Sequence, residues 1–317
     1  MKLTEHISNA KSTLFSFEVL PPLKGENIQN LFDSIDPLME FKPPFIDVTY
    51  HRQEYMYKQR GNGLLEKIAT RKRPGTVGIC AAIKNRYNVD AVPHIICGGF
   101  TREETENALI DLHFLGIDNV LVLRGDSIKS EPNFIPEKGG HNYATELLEQ
   151  VRCMNTGIYL DEDLLNTYPT NFCIGVAAYP EKHFEAPNLK TDIKYLKKKV
   201  EMGAEYIVTQ MFFDNQKYYD FVKTCRQEGI NVPIIPGLKP ITTKKQITVL
   251  PSIFHIDIPE DLADAIEQCK NNDEAKKVGV DWGIQQSKDL IEFGVPCLHY
   301  YSMGKSESVY NIAKALF

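Results

Sequence analysis

The sequence lacks most of the features that would mark a membrane, secreted, nucleic-acid-binding or metal-dependent protein. The opening MKLTEHISNAKSTLFSFEVL has no long apolar run, so neither a signal peptide nor a membrane span is expected. The seven cysteines are scattered, odd in number and without a C-x-x-C pair. That argues against a disulfide framework or a zinc site and for reduced thiols in a cytoplasmic protein. The eight histidines show no H-E-x-x-H spacing, and no protein-bound metal is expected. A net charge of −6 gives no basic surface for nucleic acid or an anionic membrane. An anionic ligand must therefore be gathered by local basic residues. No G-x-G-x-x-G follows a strand, since Gly61-Asn62-Gly63 comes after a charged segment. There is no G-x-x-x-x-G-K-[ST] and no G-x-S-x-G elbow either. Any dinucleotide is held by another kind of scaffold.

What is present is an alternation. Among 317 residues, near-continuous apolar runs suited to strands buried on both faces recur at 13–19, 45–49, 91–97, 119–123, 173–178, 206–210, 233–236 and 297–301. Amphipathic stretches lie between them at 101–115, 190–202, 215–227, 272–292 and 306–316. The first of these opens with a capping-box pattern, Thr101 followed by Glu104. Segment 76–83 reads as a strand by composition, but a helix is needed between the second and third strands, so a helix is expected there. Eight strands, each followed by helical sequence, predict an α/β fold in one domain over 1–317, a (β/α)8 TIM barrel, with a doubly wound sheet as the alternative. Segment 125–142 is a long polar loop of the kind that covers ligands.

Polar groups recur just past each apolar run: Glu18, Thr49, His94, Arg124 with Asp126, Tyr179 with His183, Gln210, Lys239 and Tyr301. In a barrel these strand ends converge on the face that carries active sites. Glu18, flanked by apolar residues, suits a general acid, because burial disfavours the carboxylate form; the plain alternative is a carboxylate paired with a nearby cation. Arg124-Gly125-Asp126 offers a guanidinium fork for phosphate, a close backbone approach and an acceptor for a heterocycle's amino groups, or simply a loop ion pair. Tyr179 and His183 suit a planar ring and a phosphate, or barrel-top packing and a helix cap. The run Lys197, Lys198, Lys199 reads as a solvated helix face from which one member could reach a diphosphate.

Eight ordered motifs carry a family likeness. F-E-V-L-P-P at 17–22, D-V-T-Y at 47–50, P-H-I-I-C at 93–97, L-R-G-D at 123–126, A-A-Y-P-E-K-H at 177–183, T-Q-M-F-F-D at 209–214, I-I-P-G-L-K-P at 234–240 and H-Y-Y-S-M-G-K at 299–305 resemble methylenetetrahydrofolate reductase across nearly the whole chain. The resemblance implies an FAD-binding barrel that uses NADH or NADPH to reduce methylenetetrahydrofolate to 5-methyltetrahydrofolate for methionine synthesis. It implies that Glu18 is the general acid opening the imidazolidine ring and that Asp126 holds the pterin and influences the flavin. Thr49, His94, Arg124, Gly125, Asp126, Tyr143, Ala144, Tyr179, His183, Asp192 and Lys199 match FAD-binding positions. Glu18, Gln210, Gln246, Tyr301 and Lys305 match folate-binding ones, Gln246 and Lys305 at the glutamate tail. A homo-oligomer is expected on the same ground.

Three positions depart from the family pattern. Leu250 stands where some bacterial relatives place an aromatic residue against the nicotinamide, Lys305 replaces a frequent Arg, and Tyr195 replaces an Asn that contacts FAD. They leave the electron donor open, as they leave a need for an accessory electron-transfer subunit and the polyglutamate preference. The chain stops where the barrel stops, so feedback by S-adenosylmethionine through a regulatory domain is not expected. Two other readings compete: a proline-dehydrogenase-like flavin barrel, separable by proline as reductant, and a catalytically silent folate- or partner-binding barrel, which would purify colourless.

Overall fold

The computed structural model describes residues 1–52, 54–61, 63–70, 72–127 and 133–317. In chain order the elements are α1 (Leu3–Asn9), β1 (Leu14–Val19), α2 (Gln29–Ile35), a 3-10 turn (Asp36–Phe41), β2 (Phe45–Val48), β3 (Glu54–Gln59), β4 (Leu65–Thr70), α3 (Thr76–Tyr87), β5 (Asp90–Ile96), α4 (Arg102–Phe114) and β6 (Asn119–Leu123). The second half adds α5 (Ala144–Met154), β7 (Cys173–Ala178), α6 (Leu189–Glu201), β8 (Tyr206–Thr209), α7 (Asn215–Gln227), β9 (Ile234–Ile235), β10 (Gly237–Leu238), α8 (Gln246–Phe254), α9 (Glu260–Gln268), α10 (Asn272–Phe293), β11 (Cys297–Tyr301) and α11 (Glu307–Lys314).

Nine strands form one parallel sheet in the order β10-β11-β1-β2-β5-β6-β7-β8-β9. Its two ends are consecutive in the chain, because β9 and β10 flank the single residue Pro236. Proline has no N–H to give a ladder, so the seventh stave is broken into two short pieces. One pairs with β8 and the other with β11, and together they close an eight-stave barrel. The predicted barrel stands and the doubly wound alternative falls, since a doubly wound sheet leaves its edges open.

Alternation along the strands sorts the core into an inside and an outside. Phe15, Phe17 and Val19 of β1 and Ile46 and Val48 of β2 join the layer between sheet and helices. Phe45, Val92, Leu121, Cys173, Tyr206, Val208, Ile235 and Cys297 fill the barrel interior with Leu3 of α1. That helix closes the N-terminal end of the barrel: Leu3 N–H donates to Asn119 Oδ1 at 2.6 Å, and Asn119 Nδ2 donates to Met1 O at 3.0 Å. The apolar plug at this end leaves the opposite end for polar groups.

Segment 76–83 is helical as required and the helix runs on to Tyr87, ending at Asn88 with φ 52°. The capping box of α4 forms, with Glu104 N–H donating to Thr101 Oγ1 at 3.1 Å and Thr101 N–H to Glu104 Oε2 at 2.8 Å. The antiparallel pair β3–β4 was not expected. Gly61 and Gly63 lie between its strands, with Gly63 at φ 77°, so the glycines that fail as a nucleotide loop serve a hairpin. Residues 128–132 of the expected cover loop, and Asn62, lie outside the described residues.

Candidate active site

The C-terminal ends of β1, β2, β5 and β11 bring together a buried polar cluster. Glu18, the penultimate residue of β1, lies opposite Tyr301 in the register with β11 and is 7% exposed. Thr49, one residue past β2, donates its hydroxyl to Glu18 Oε1. Its own N–H donates to Val19 O at 3.1 Å, which fixes the geometry. The carbonyl of Glu18 is held by Ser302, whose Oγ donates to it at 2.7 Å. His94 comes in from β5, with Nε2 3.6 Å from Glu18 Oε2 and 3.5 Å from Asp47 Oδ2. Burial alone would draw the His94 imidazole down, but the facing Glu18 and Asp47 carboxylates outweigh it and raise its pKa. His299 lies below, sharing a 2.8 Å hydrogen bond between Nδ1 and Ser16 Oγ, and burial lowers its pKa.

Tyr301 donates its hydroxyl to Thr209 O at 2.6 Å and covers Gly237. Lys239 follows β10 on the inward parity of Gly237, and burial brings its ammonium down to about 8 against the pull of Glu18. A cleft of about 670 Å³ reaches His94 from the side, lined among others by Pro22, Tyr50, Thr76, Ile79 and Phe100.

A second cluster forms the rim over β6 and β7. Arg124 donates to Glu185 Oε2 at 2.6 Å and lies over the Phe134 ring at 5.2 Å. Gly125 has φ 83°, and a Cβ there would meet Ile96 Cδ1 at 3.2 Å. Asp126 is exposed beside Tyr179 and raises that phenol's pKa after burial has done so. Tyr179 meets His183 edge to face at 4.8 Å. His183 donates its N–H to Asp192 Oδ2 at 2.7 Å, and burial with the nearby Arg124 lowers its imidazole pKa. Lys199 turns inward from the lysine run, donating to Ala177 O at 2.9 Å, and burial brings its pKa down to about 8.

The remaining expected residues are more dispersed. Tyr143 precedes α5 and is 61% exposed, while Ala144 packs on the outer core layer. Gln210 N–H donates to Ala178 O at 2.8 Å, and its own Oε1 accepts from Met211 N at 2.9 Å. Gln246 Oε1 accepts from Thr242 N at 2.6 Å and Thr243 N at 3.0 Å, so its oxygen holds a turn. Lys305 is exposed. Leu250 is buried with Met211, Phe213 and Ile241, and Tyr195 is exposed on α6. Asp47 and His299 received no role from sequence, yet an acid inside the apolar run F-I-D-V, on the inward parity of Phe45, was a readable signal.

The rim suits a large anionic ligand with a planar ring. Arg124 gives one of its five donors to Glu185, Gly125 admits close backbone approach, Tyr179 and His183 offer ring faces, and Lys199 supplies a second cation. FAD has those parts, so the residues present fit it. Lys199 also carries a stability cost that can be tested. Its folded pKa lies below the unfolded value, so between about pH 8 and 10.5 the unfolded chain binds more protons and stability rises with pH. Lys199→Met should flatten that rise in thermal melts without ligand and weaken FAD binding about tenfold or more; an unchanged melt profile would contradict the assignment.

Fold and site together define a (β/α)8 barrel with a buried acid and histidine at the centre of its C-terminal face and a rim carrying Arg124, His183 and Lys199 beside them. The sequence matches the methylenetetrahydrofolate reductase family profile over residues 2–317. It is 32% identical to the 5,10-methylenetetrahydrofolate reductase of Salmonella typhimurium over 95% of this chain and 90% of that one. It is 33% identical to methylenetetrahydrofolate reductase (NADH) 1 of Arabidopsis thaliana over 98% of this chain, and spans 50% of that relative's length. A solved structure from Clostridium thermocellum, described as an uncharacterized protein that binds two copies of 5-methyl-5,6,7,8-tetrahydrofolic acid, shares the fold with a TM-score of 0.56 at 15% identity, over 99% of this chain and 97% of that one. The chain belongs to the methylenetetrahydrofolate reductase family.

Proposed function

We propose that this protein is an FAD-dependent 5,10-methylenetetrahydrofolate reductase that takes its electrons from NADH or NADPH and supplies 5-methyltetrahydrofolate for methionine synthesis. The observation that carries the reading is Glu18, a buried carboxyl at the exit of β1 held between Thr49 and His94 in a chain of this family. Bound on the rim, FAD would accept a hydride from the nicotinamide and release one to the folate. Arg124, His183 and Lys199 hold its diphosphate in this reading, with Tyr179 against a ring.

Glu18 gives its proton to N10 of the folate as the bond from N10 to the bridging methylene breaks. The resulting iminium carbon takes the hydride and becomes the methyl group. Asp126, exposed and within reach of Tyr179, stabilises that cation through its negative charge. Gln210 and Tyr301 orient the pterin side, and Gln246 and Lys305 meet the glutamate tail. A cytoplasmic location and a homo-oligomer belong to the same reading. Among the described residues no helix is long and apolar enough to cross a membrane.

The test is an anaerobic flavin spectrum. The yellow protein is bleached with NADH or dithionite, and methylenetetrahydrofolate is then added. Return of the oxidised bands is expected. Persistent bleaching in folded, FAD-loaded protein would overturn the reading.

A further inference from the structure

Three polar groups meet at the centre of the barrel without a hydrogen bond between them. Asp47 is fully buried, and neither of its carboxylate oxygens has a donor. His94 Nε2, likewise unpartnered, stands 3.5 Å from Asp47 Oδ2 and 3.6 Å from Glu18 Oε2. A buried carboxylate is tolerated only when a proton or a counter-charge neutralises it. Among the described residues, the one basic group within 4.0 Å of Asp47 is His94. Two carboxyls therefore compete for one imidazole.

We propose that Asp47 is a positioning residue that keeps Glu18 protonated, by cancelling the charge of a His94 imidazolium that Glu18 would otherwise have to cancel. The inference rests on the reading of Glu18 as the acid that protonates N10. With Asp47 ionised and His94 charged, the pair is neutral and Glu18 retains its proton. The cluster then holds two protons among three groups and has no net charge. Without the Asp47 charge, the rest is neutral with one proton fewer, shared between Glu18 and His94; an imidazole is more basic than a carboxylate, so the proton goes to His94 and the acid is spent before the folate arrives. Thr49 fits this division, because its hydroxyl donates to Oε1 of Glu18 and leaves Oε2 for the labile proton.

Of the surrounding groups among the described residues, only Lys239 carries a charge near Glu18 at neutral pH, and it does so in wild type and variants alike. Tyr301 and Cys297 of β11, Tyr206 of β8 and Cys80 of α3 are all pushed up by burial and stay neutral through the working range. His299 is pushed down by burial and stays neutral around pH 7 and above. Lys239 loses its charge near pH 8, which adds an alkaline feature common to wild type and variants.

The experiment measures the two half-reactions of the FAD-loaded enzyme separately against pH. In Asp47→Asn, reduction by NADH should keep its rate. Reoxidation by methylenetetrahydrofolate should have its midpoint moved to lower pH by about one unit or more, which is about a tenfold loss on the alkaline side. A uniform drop with an unmoved midpoint marks a merely structural Asp47 and overturns the proposal, as does a profile identical to wild type. Should Asp47→Asn not fold, infrared difference spectra of the wild type answer the same question. A protonated-carboxyl band at neutral pH that vanishes in Glu18→Gln is expected, and its absence overturns the proposal. If that band is present but folate never reoxidises the wild-type flavin, the reductase reading fails while the protonation of Glu18 stands.

Discussion

Glu18→Gln should lower folate turnover by about 10²–10⁴-fold, the range for loss of a general acid, while reduction of the flavin by nicotinamide proceeds near the wild-type rate. The substitution is nearly isosteric. A glutamine amide oxygen still accepts from Thr49, and the carbonyl of residue 18 still accepts from Ser302 Oγ and N–H. What disappears is a proton that can be given to N10. Because the hydrogen bonds and ion pairs of the rim residues Arg124, His183 and Lys199 do not involve Glu18, FAD content should be unchanged. Separate stopped-flow measurements of the two half-reactions decide the matter. Normal reoxidation by methylenetetrahydrofolate in the variant would remove Glu18 from the acid role, and equal loss in both halves would mean that it shapes the flavin site instead.

Gly237→Ala should be among the most damaging conservative changes in the barrel. A Cβ at 237 would lie 2.1 Å from the Thr209 backbone oxygen and 2.5 Å from the Tyr301 hydroxyl. The first is main chain of the neighbouring β8 and cannot rotate away. Relief requires spreading the strands, which breaks the Tyr301–Thr209 hydrogen bond and the one from Gly237 N–H to Thr209 Oγ1. Overpacking of this kind costs about 1–3 kcal/mol and more where backbone must move, a fall of several degrees in melting temperature. Gly78→Ala supplies the contrast. That glycine sits in α3 with no atom within 4 Å of its added methyl, so alanine should stabilise by about 0.5–1 kcal/mol. Thermal melts in which both variants shift in the same direction would refute the packing argument.

The barrel was legible because its staves are apolar on both faces, and Asn119–Leu123, Cys173–Ala178 and Cys297–Tyr301 have the very bounds read from sequence. The hairpin β3–β4 was not legible because its strands, EYMYKQ and LEKIAT, mix charged with apolar residues and lack the continuous apolar run that marks the staves. Pro236 inside the seventh run was visible, yet its effect on pairing depends on neighbours that only the closed sheet supplies. The same holds for the site. Strand-end position was enough to find Glu18, Thr49 and His94, which the structure brings into contact. Asp47 pairs with Glu18 from within an apolar run, and its meaning emerges only when β1, β2 and β5 stand side by side. Gln246 shows the converse: its side-chain oxygen is engaged by its own turn, which no motif discloses.

The broken seventh stave also sets how the cylinder yields. On one side the closure rests on Ile207 with Ile234 and Val208 with Ile235, and on the other on Gly237 with His299 and Leu238 with Tyr300. By comparison, β1 and β11 are joined over five residue pairs. Amide protons along this seam are therefore the ones that trade with solvent through the smallest excursions. The stave with the fewest ladder pairs is the one that leads into Lys239, so hydrogen exchange along it should outpace that of β1 and β11, at the edge of the candidate site.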